Sequence, residues 1–91
     1  MRLRWARSAS KHRVARGRSR YVIERAGLRF RIPPPPGDQD DRLLYLGDDE
    51  DGNPLEVMVI ELPRDELFVI HAMPMRSKYR SWYEEASKWR T

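Results

Sequence analysis

The stretch from Leu55 to Leu62 constrains this chain more than any other. Side chains alternate along a strand, so Leu55, Val57 and Val59 face one way and Met58, Ile60 and Leu62 the other. A strand that is apolar on both sides has to lie inside a sheet that is covered on both faces. The 91 residues suffice for one domain and not for two, so one sheet and its cover are built from a single small core.

The neighbouring segments supply the rest of an α+β domain. Leu28–Ile32 alternates Leu28, Phe30 and Ile32 against Arg29 and Arg31, and Arg42–Leu46 reads as a second strand. Between them, Pro33 to Pro36 have no N–H to give a sheet ladder and form a stiff connector. Gly52-Asn53 sits in a hairpin loop before the third strand, Pro54–Leu62. Glu66–Met73 is the fourth, with Leu67, Val69, His71 and Met73 on one face and Phe68, Ile70 and Ala72 on the other. Residues 1–27 are read as a basic helical segment: a turn capped by Ser8 or Ser10 running through Lys11, His12 and Val14, then a helix capped by Ser19, burying Tyr21, Val22, Ile23 and Ala26 and stopped by Gly27. Residues 28–73 form a four-stranded antiparallel sheet. Residues 76–90 are an amphipathic helix whose stripe of Tyr79, Trp82, Tyr83, Ala86 and Trp89 is expected to be buried on that sheet.

No cysteine is present, which argues for a reducing, cytoplasmic setting and rules out thiolate zinc. Two histidines alone make a poor metal site, and no cofactor motif is present. No apolar run is long enough for a signal sequence or a membrane span, so no membrane partner is expected. The charge is segregated: residues 1–31 hold 11 basic residues and one acidic, a net of +10; residues 32–70 net −9 and residues 71–91 net +3. If the ends come together in space, basic ends around an acidic middle create a dipolar field that attracts a polyanion, RNA above all.

His71 is the strongest chemical candidate. A histidine exchanges protons near neutrality, and the cations Arg76, Lys78 and Arg80 that follow it can neutralise a phosphorane. A base that takes the 2′-hydroxyl proton and an acid that protonates the leaving 5′-oxygen suffice to cleave RNA. The alternative is a hydrogen-bonded structural histidine beside Leu67 and Val69. Arg76 and Arg80 are expected one helical turn apart on the same side of the last helix, and Tyr79 and Tyr83 can stack on bases, support the reaction or pack in the core. Lys11, His12, Arg13, Arg16, Arg18 and Arg20 form the expected RNA-binding cluster, against a reading as solubilising charge.

Several ordered motifs resemble the BrnT family of toxins, relatives of the RelE-type ribonucleases of bacterial toxin–antitoxin operons. Trp5 followed by Lys11-His12-Arg13-Val14 is similar to that family's tryptophan and Lys-His-Gly-Val. Arg42 to Gly47 resembles its arginine-rich strand ending in Leu-Gly, and Gly52 to Ile60 its following hairpin. Ile70-His71-Ala72, with Lys78, Arg80, Tyr83, Glu84 and Glu85, is similar to its Ile-Ser-Ala and arginine-rich helix. The resemblance implies a RelE-like fold and an endoribonuclease that blocks translation, in some cases on the ribosome. It also implies a cognate antitoxin as protein partner, with DNA contacted only through that antitoxin. Arg13, Met73, Pro74 and Tyr79 stand where the family has glycine, arginine, lysine and glutamate. If the arginine and glutamate positions carry catalysis in the family, the job here is lost or has moved to His71. A non-catalytic RNA-, DNA- or antitoxin-binding module with the same fold is the rival expectation.

Overall fold

The strand that is apolar on both sides lies at the centre of the sheet. A computed structural model describes residues 1–90; Thr91 lies outside the described residues. Its strands are β1 (Arg2–Trp5), β2 (Phe30–Ile32), β3 (Arg42–Asp48), β4 (Pro54–Leu62) and β5 (Glu66–Pro74), and its helices α1 (Arg16–Arg25) and α2 (Arg80–Ser87). Single 3-10 turns at Arg7–Ser10 and Ser77–Tyr79 precede the two helices. The strand order is β1-β5-β4-β3-β2. The α+β class therefore holds. The sheet, however, is five-stranded and mixed, not four-stranded and antiparallel.

The added strand comes from the basic N-terminus. In β1, Leu3 and Trp5 alternate with Arg2 and Arg4, and the strand pairs parallel to β5 from Arg2↔Glu66 to Trp5↔Val69. Leu3 and Trp5 pack against the core, while Arg2 and Arg4 lie within 3.8 and 3.6 Å of the Glu66 carboxylate. Arginine density had hidden a period of two.

One sheet face carries the main core: Leu43, Tyr45, Leu55, Val57, Val59, Leu67, Val69 and Ala72 close on Val22 and Ile23 of α1, with Ala9 and Val14 at its end. The other face carries Leu44, Glu56, Met58 and His71, matched across β3, β4 and β5. α2 lies on this second side, where Trp82 stacks on Phe30, the partner of Leu44.

A β-bulge decides where His71 points. Val59 pairs with Val69, yet its neighbour Met58 pairs with His71, so Ile70 is skipped. The extra residue reverses the alternation. His71 and Met73 therefore lie on the α2 side, opposite Leu67 and Val69, contrary to the face-sharing expected from spacing.

The helices also differ from expectation. The first turn stops at Ser10, because Arg13 adopts φ +59 and swings the chain away; Val14 is then buried outside any helix. α1 begins at Arg16, so Ser19 is no cap: it is buried, donates to the Arg16 carbonyl at 3.0 Å and accepts the Trp5 indole N–H at 3.1 Å. Within its buried side Tyr21 and Ala26 are only half-buried. Gly27 follows the cap residue Ala26 and serves another purpose, since a Cβ there would stand 1.6 Å from the Trp89 carbonyl oxygen. The C-terminal segment runs over that glycine to reach the end of α1.

The expected helix over 76–90 is shorter, and Arg76 precedes it in extended conformation with φ −84 and ψ 151. Arg76 and Arg80 are consequently not one helical turn apart. The aromatic stripe is not buried either. Ala86 is, Tyr79 and Tyr83 are half-buried, but Trp82 is 39% and Trp89 60% exposed. A helix of eight residues over β3 covers too little of the sheet to bury both indoles. Among the described residues no helix is long and apolar enough to cross a membrane.

Candidate active site

Glu56 is a carboxylate in the middle strand of the sheet with 0% of its surface exposed. An isolated buried charge is too costly to persist, so it must be paired. Arg76 grips it from several directions. The Arg76 backbone N–H donates to Oε1 at 2.8 Å, Nε to both oxygens at 3.0 and 3.2 Å, and Nη2 to Oε2 at 2.7 Å. His71 Nε2 lies 3.0 Å from Oε2. Burial alone pushes the Glu56 carboxyl up, but the hydrogen bonds from Arg76 and His71 outweigh it and hold the group below its ordinary range.

That ionised carboxylate fixes the histidine. A carboxylate only accepts, so Nε2 of His71 carries the proton and Nδ1 is the nitrogen left for exchange. The ring of His12 meets His71 edge to face, 5.8 Å between centroids. Two features of the chain make this contact. The turn ending in Arg13 carries His12, and Ser8 of the same segment donates to the Ile70 carbonyl at 2.8 Å, fastening it to the bulge. Lys11, His12 and Arg13 are all exposed here.

The remaining expected site residues are dispersed. Lys78 lies over the Tyr79 ring at 5.1 Å, and the Arg76 guanidinium over the same ring at 5.7 Å. Arg80 lines a separate depression with Arg18, Pro54, Pro74 and Met75. Tyr83 is committed elsewhere: its hydroxyl donates to Asp48 at 2.5 Å beneath Arg90, and burial together with the Asp48 bond pushes its pKa up. Neither Arg80 nor Tyr83 joins the cluster around Glu56.

The expected RNA-binding group is divided as well. Arg16 and Arg20 both stand over the Trp5 ring, at 5.1 and 5.5 Å. Arg18 bonds Asp49 at 2.8 Å and so braces the β3–β4 hairpin against α1. In that hairpin the Asn53 backbone N–H, assisted by the Asn53 amide, Arg18 and the Asp51 N–H, draws the Asp49 carboxyl down to about 2 against the opposing effect of burial.

Glu56 is not among the residues that spacing singles out, yet it carries a signal: one carboxylate set between Leu55 and Val57 in a stretch, 55–60, that is otherwise apolar. Among the described residues no three His, Asp or Glu side chains converge closely enough to hold a metal ion. No protein-family model matches the sequence, and no curated protein or solved structure matches it.

Proposed function

We propose that this chain is an endoribonuclease of the toxin type, cleaving RNA without a metal by attack of the 2′-oxygen on the adjacent phosphorus. The observation that carries the reading is the pair of imidazoles, His71 and His12, in edge-to-face contact beside a buried carboxylate. The reaction needs one group to accept a proton and one to give it, and two histidines meet that requirement. One imidazole accepts the 2′-hydroxyl proton. As the new P–O2′ bond forms, the P–O5′ bond breaks and the other imidazole protonates the departing 5′-oxygen. The products are a 2′,3′-cyclic phosphate and a 5′-hydroxyl.

Glu56 orients His71 and holds Arg76 by Nε and Nη2, so Nη1 takes no part in that grip and is the nitrogen proposed to meet a phosphate oxygen. Lys11 and Arg13 flank His12 in the exposed turn and Lys78 lies over Tyr79, so each adds positive charge for an RNA backbone. Arg80 and Tyr83 take no part in the chemistry. The resemblance to BrnT toxins supports the reading further, and Arg13 adopts a left-handed φ at the position where the resembling motif has glycine. On this reading the protein acts in the cytoplasm, slows translation and is neutralised by a cognate antitoxin, through which it meets DNA. A non-catalytic RNA-binding module is favoured by one observation, that Glu56 already neutralises the Arg76 charge.

Metal-free incubation with end-labelled RNA, with and without ribosomes, decides between them. Wild type should release cyclic-phosphate ends. His71→Ala and His12→Ala should each lower the rate by roughly 10²–10⁴-fold with the fold intact. RNA retained uncut by all three proteins, with affinity falling as salt rises, would leave the binding module.

A further inference from the structure

The cluster around Glu56 does not end at Arg76. The Arg76 guanidinium lies over Tyr79; the Tyr79 ring is 5.7 Å from Trp82 at an interplanar angle of 40°; Trp82 in turn stacks on Phe30 at 5.0 Å and 26°. This is an unbroken series of contacts from the proton-transfer pair to an indole with 39% of its surface in solvent. Phe30, anchored in β2, fixes the plane of that indole. A lone exposed tryptophan would need no explanation; a contiguous group of rings that ends in one, next to cations, marks a contact surface.

We infer that Tyr79 and Trp82 form a stacking site for an unpaired nucleobase next to the scissile phosphate, so that the substrate is single-stranded RNA. This deepens the ribonuclease reading and rests on it for the position of the phosphate. Two observations favour a nucleic acid over a protein as occupant. Cations lie on the rings, with Lys78 and the Glu56-paired Arg76 both over Tyr79, and the first turn of α2 holds no acidic residue. The site is also continuous with a guanidinium suited to phosphate, which matches the alternation of base and phosphate along a strand. A base in a duplex has both its faces already stacked, so only an unpaired one can use the rings.

The test uses the whole chain and two fluorescent RNA probes made uncleavable by 2′-O-methylation, one single-stranded and one a closed hairpin. Binding is read by anisotropy, independently of cleavage. The single strand should bind at least tenfold more tightly. Trp82→Ala should weaken it by roughly 5- to 150-fold, the equivalent of about 1–3 kcal/mol per stacked base, and Trp82→Phe should restore most of the affinity. Trp89→Ala, which removes the other exposed indole, should bind as wild type does; thermal melts confirm that each variant is folded. Equal affinity for both probes, or a Trp82→Ala protein that binds like wild type, overturns the stacking site and leaves the cleavage reading in place. Loss of cleavage activity with Trp82-dependent binding retained overturns the catalytic reading alone. If neither probe binds and Trp82→Ala impairs only association with another protein, the rings are a protein-docking surface and the inference fails.

Discussion

Replacing Glu56 by glutamine should be the most informative single change in this protein. The carboxamide keeps the shape and one acceptor, but it turns an N–H₂ group toward the Arg76 and His71 donors and removes the charge. Breaking a fully buried ion pair from one side costs about 3–5 kcal/mol. Here Arg76 is 44% exposed on its side chain and regains water, so about 2–3 kcal/mol is the appropriate figure. In a domain of this size each kcal/mol lowers Tm by about 4–8 °C, which gives a drop of roughly 8–24 °C in a thermal melt near neutral pH. Pairing Glu56→Leu with Arg76→Met should recover much of the loss, because the uncompensated charge goes as well. The sign of the pH dependence follows from the depressed carboxyl. Its stabilisation is complete above the ordinary carboxylate pKa and is lost as the pH falls through the lower folded value, so Glu56→Gln should flatten the acid limb of stability against pH. A Glu56→Gln protein melting within about 2 °C of wild type, with no coupling to Arg76, would refute the argument that this carboxylate ties the site together.

Three further outcomes are expected. Asp49→Asn should remove the acid sensitivity of the β3–β4 hairpin. With the Asp49 pKa drawn to about 2 from 3.8, its contribution is present above that window and is lost within it, as hydrogen exchange of the Asp51 and Asn53 amides would register. Gly27→Ala should displace the C-terminal segment, since its Cβ meets the Trp89 carbonyl; a cost of about 1–3 kcal/mol and faster proteolysis after α2 are expected. Tyr83→Phe should cost about 1 kcal/mol in a urea melt while leaving RNA cleavage unchanged, because its hydroxyl serves Asp48.

What the sequence made legible was what local periodicity encodes. β4 as a central strand and the hairpin at Gly52-Asn53 both follow from spacing and turn chemistry. The bulge at Ile70 does not, since one extra residue is invisible to a period of two, and it moved His71 from the core side to the site. β1 was missed because its pairing is parallel and distant, and nothing near Arg2 announces Glu66. His71 and Arg76 were legible as candidates. Their meeting on Glu56, and the withdrawal of Arg80 and Tyr83, depend on where the last helix starts, and one extended residue changed that.

The parallel pairing of β1 with β5 has a consequence for how the molecule comes into being. A ribosome makes His12 well before His71, and β1 finds its partner only once β5 exists. Contacts so far apart in the chain are slow to form and absent from any shorter nascent product. The two imidazoles therefore cannot meet before β5 has been synthesised. The edge-to-face contact of His12 with His71 is thus a property of the assembled sheet alone, available only after β5 has been synthesised and β1 has paired with it.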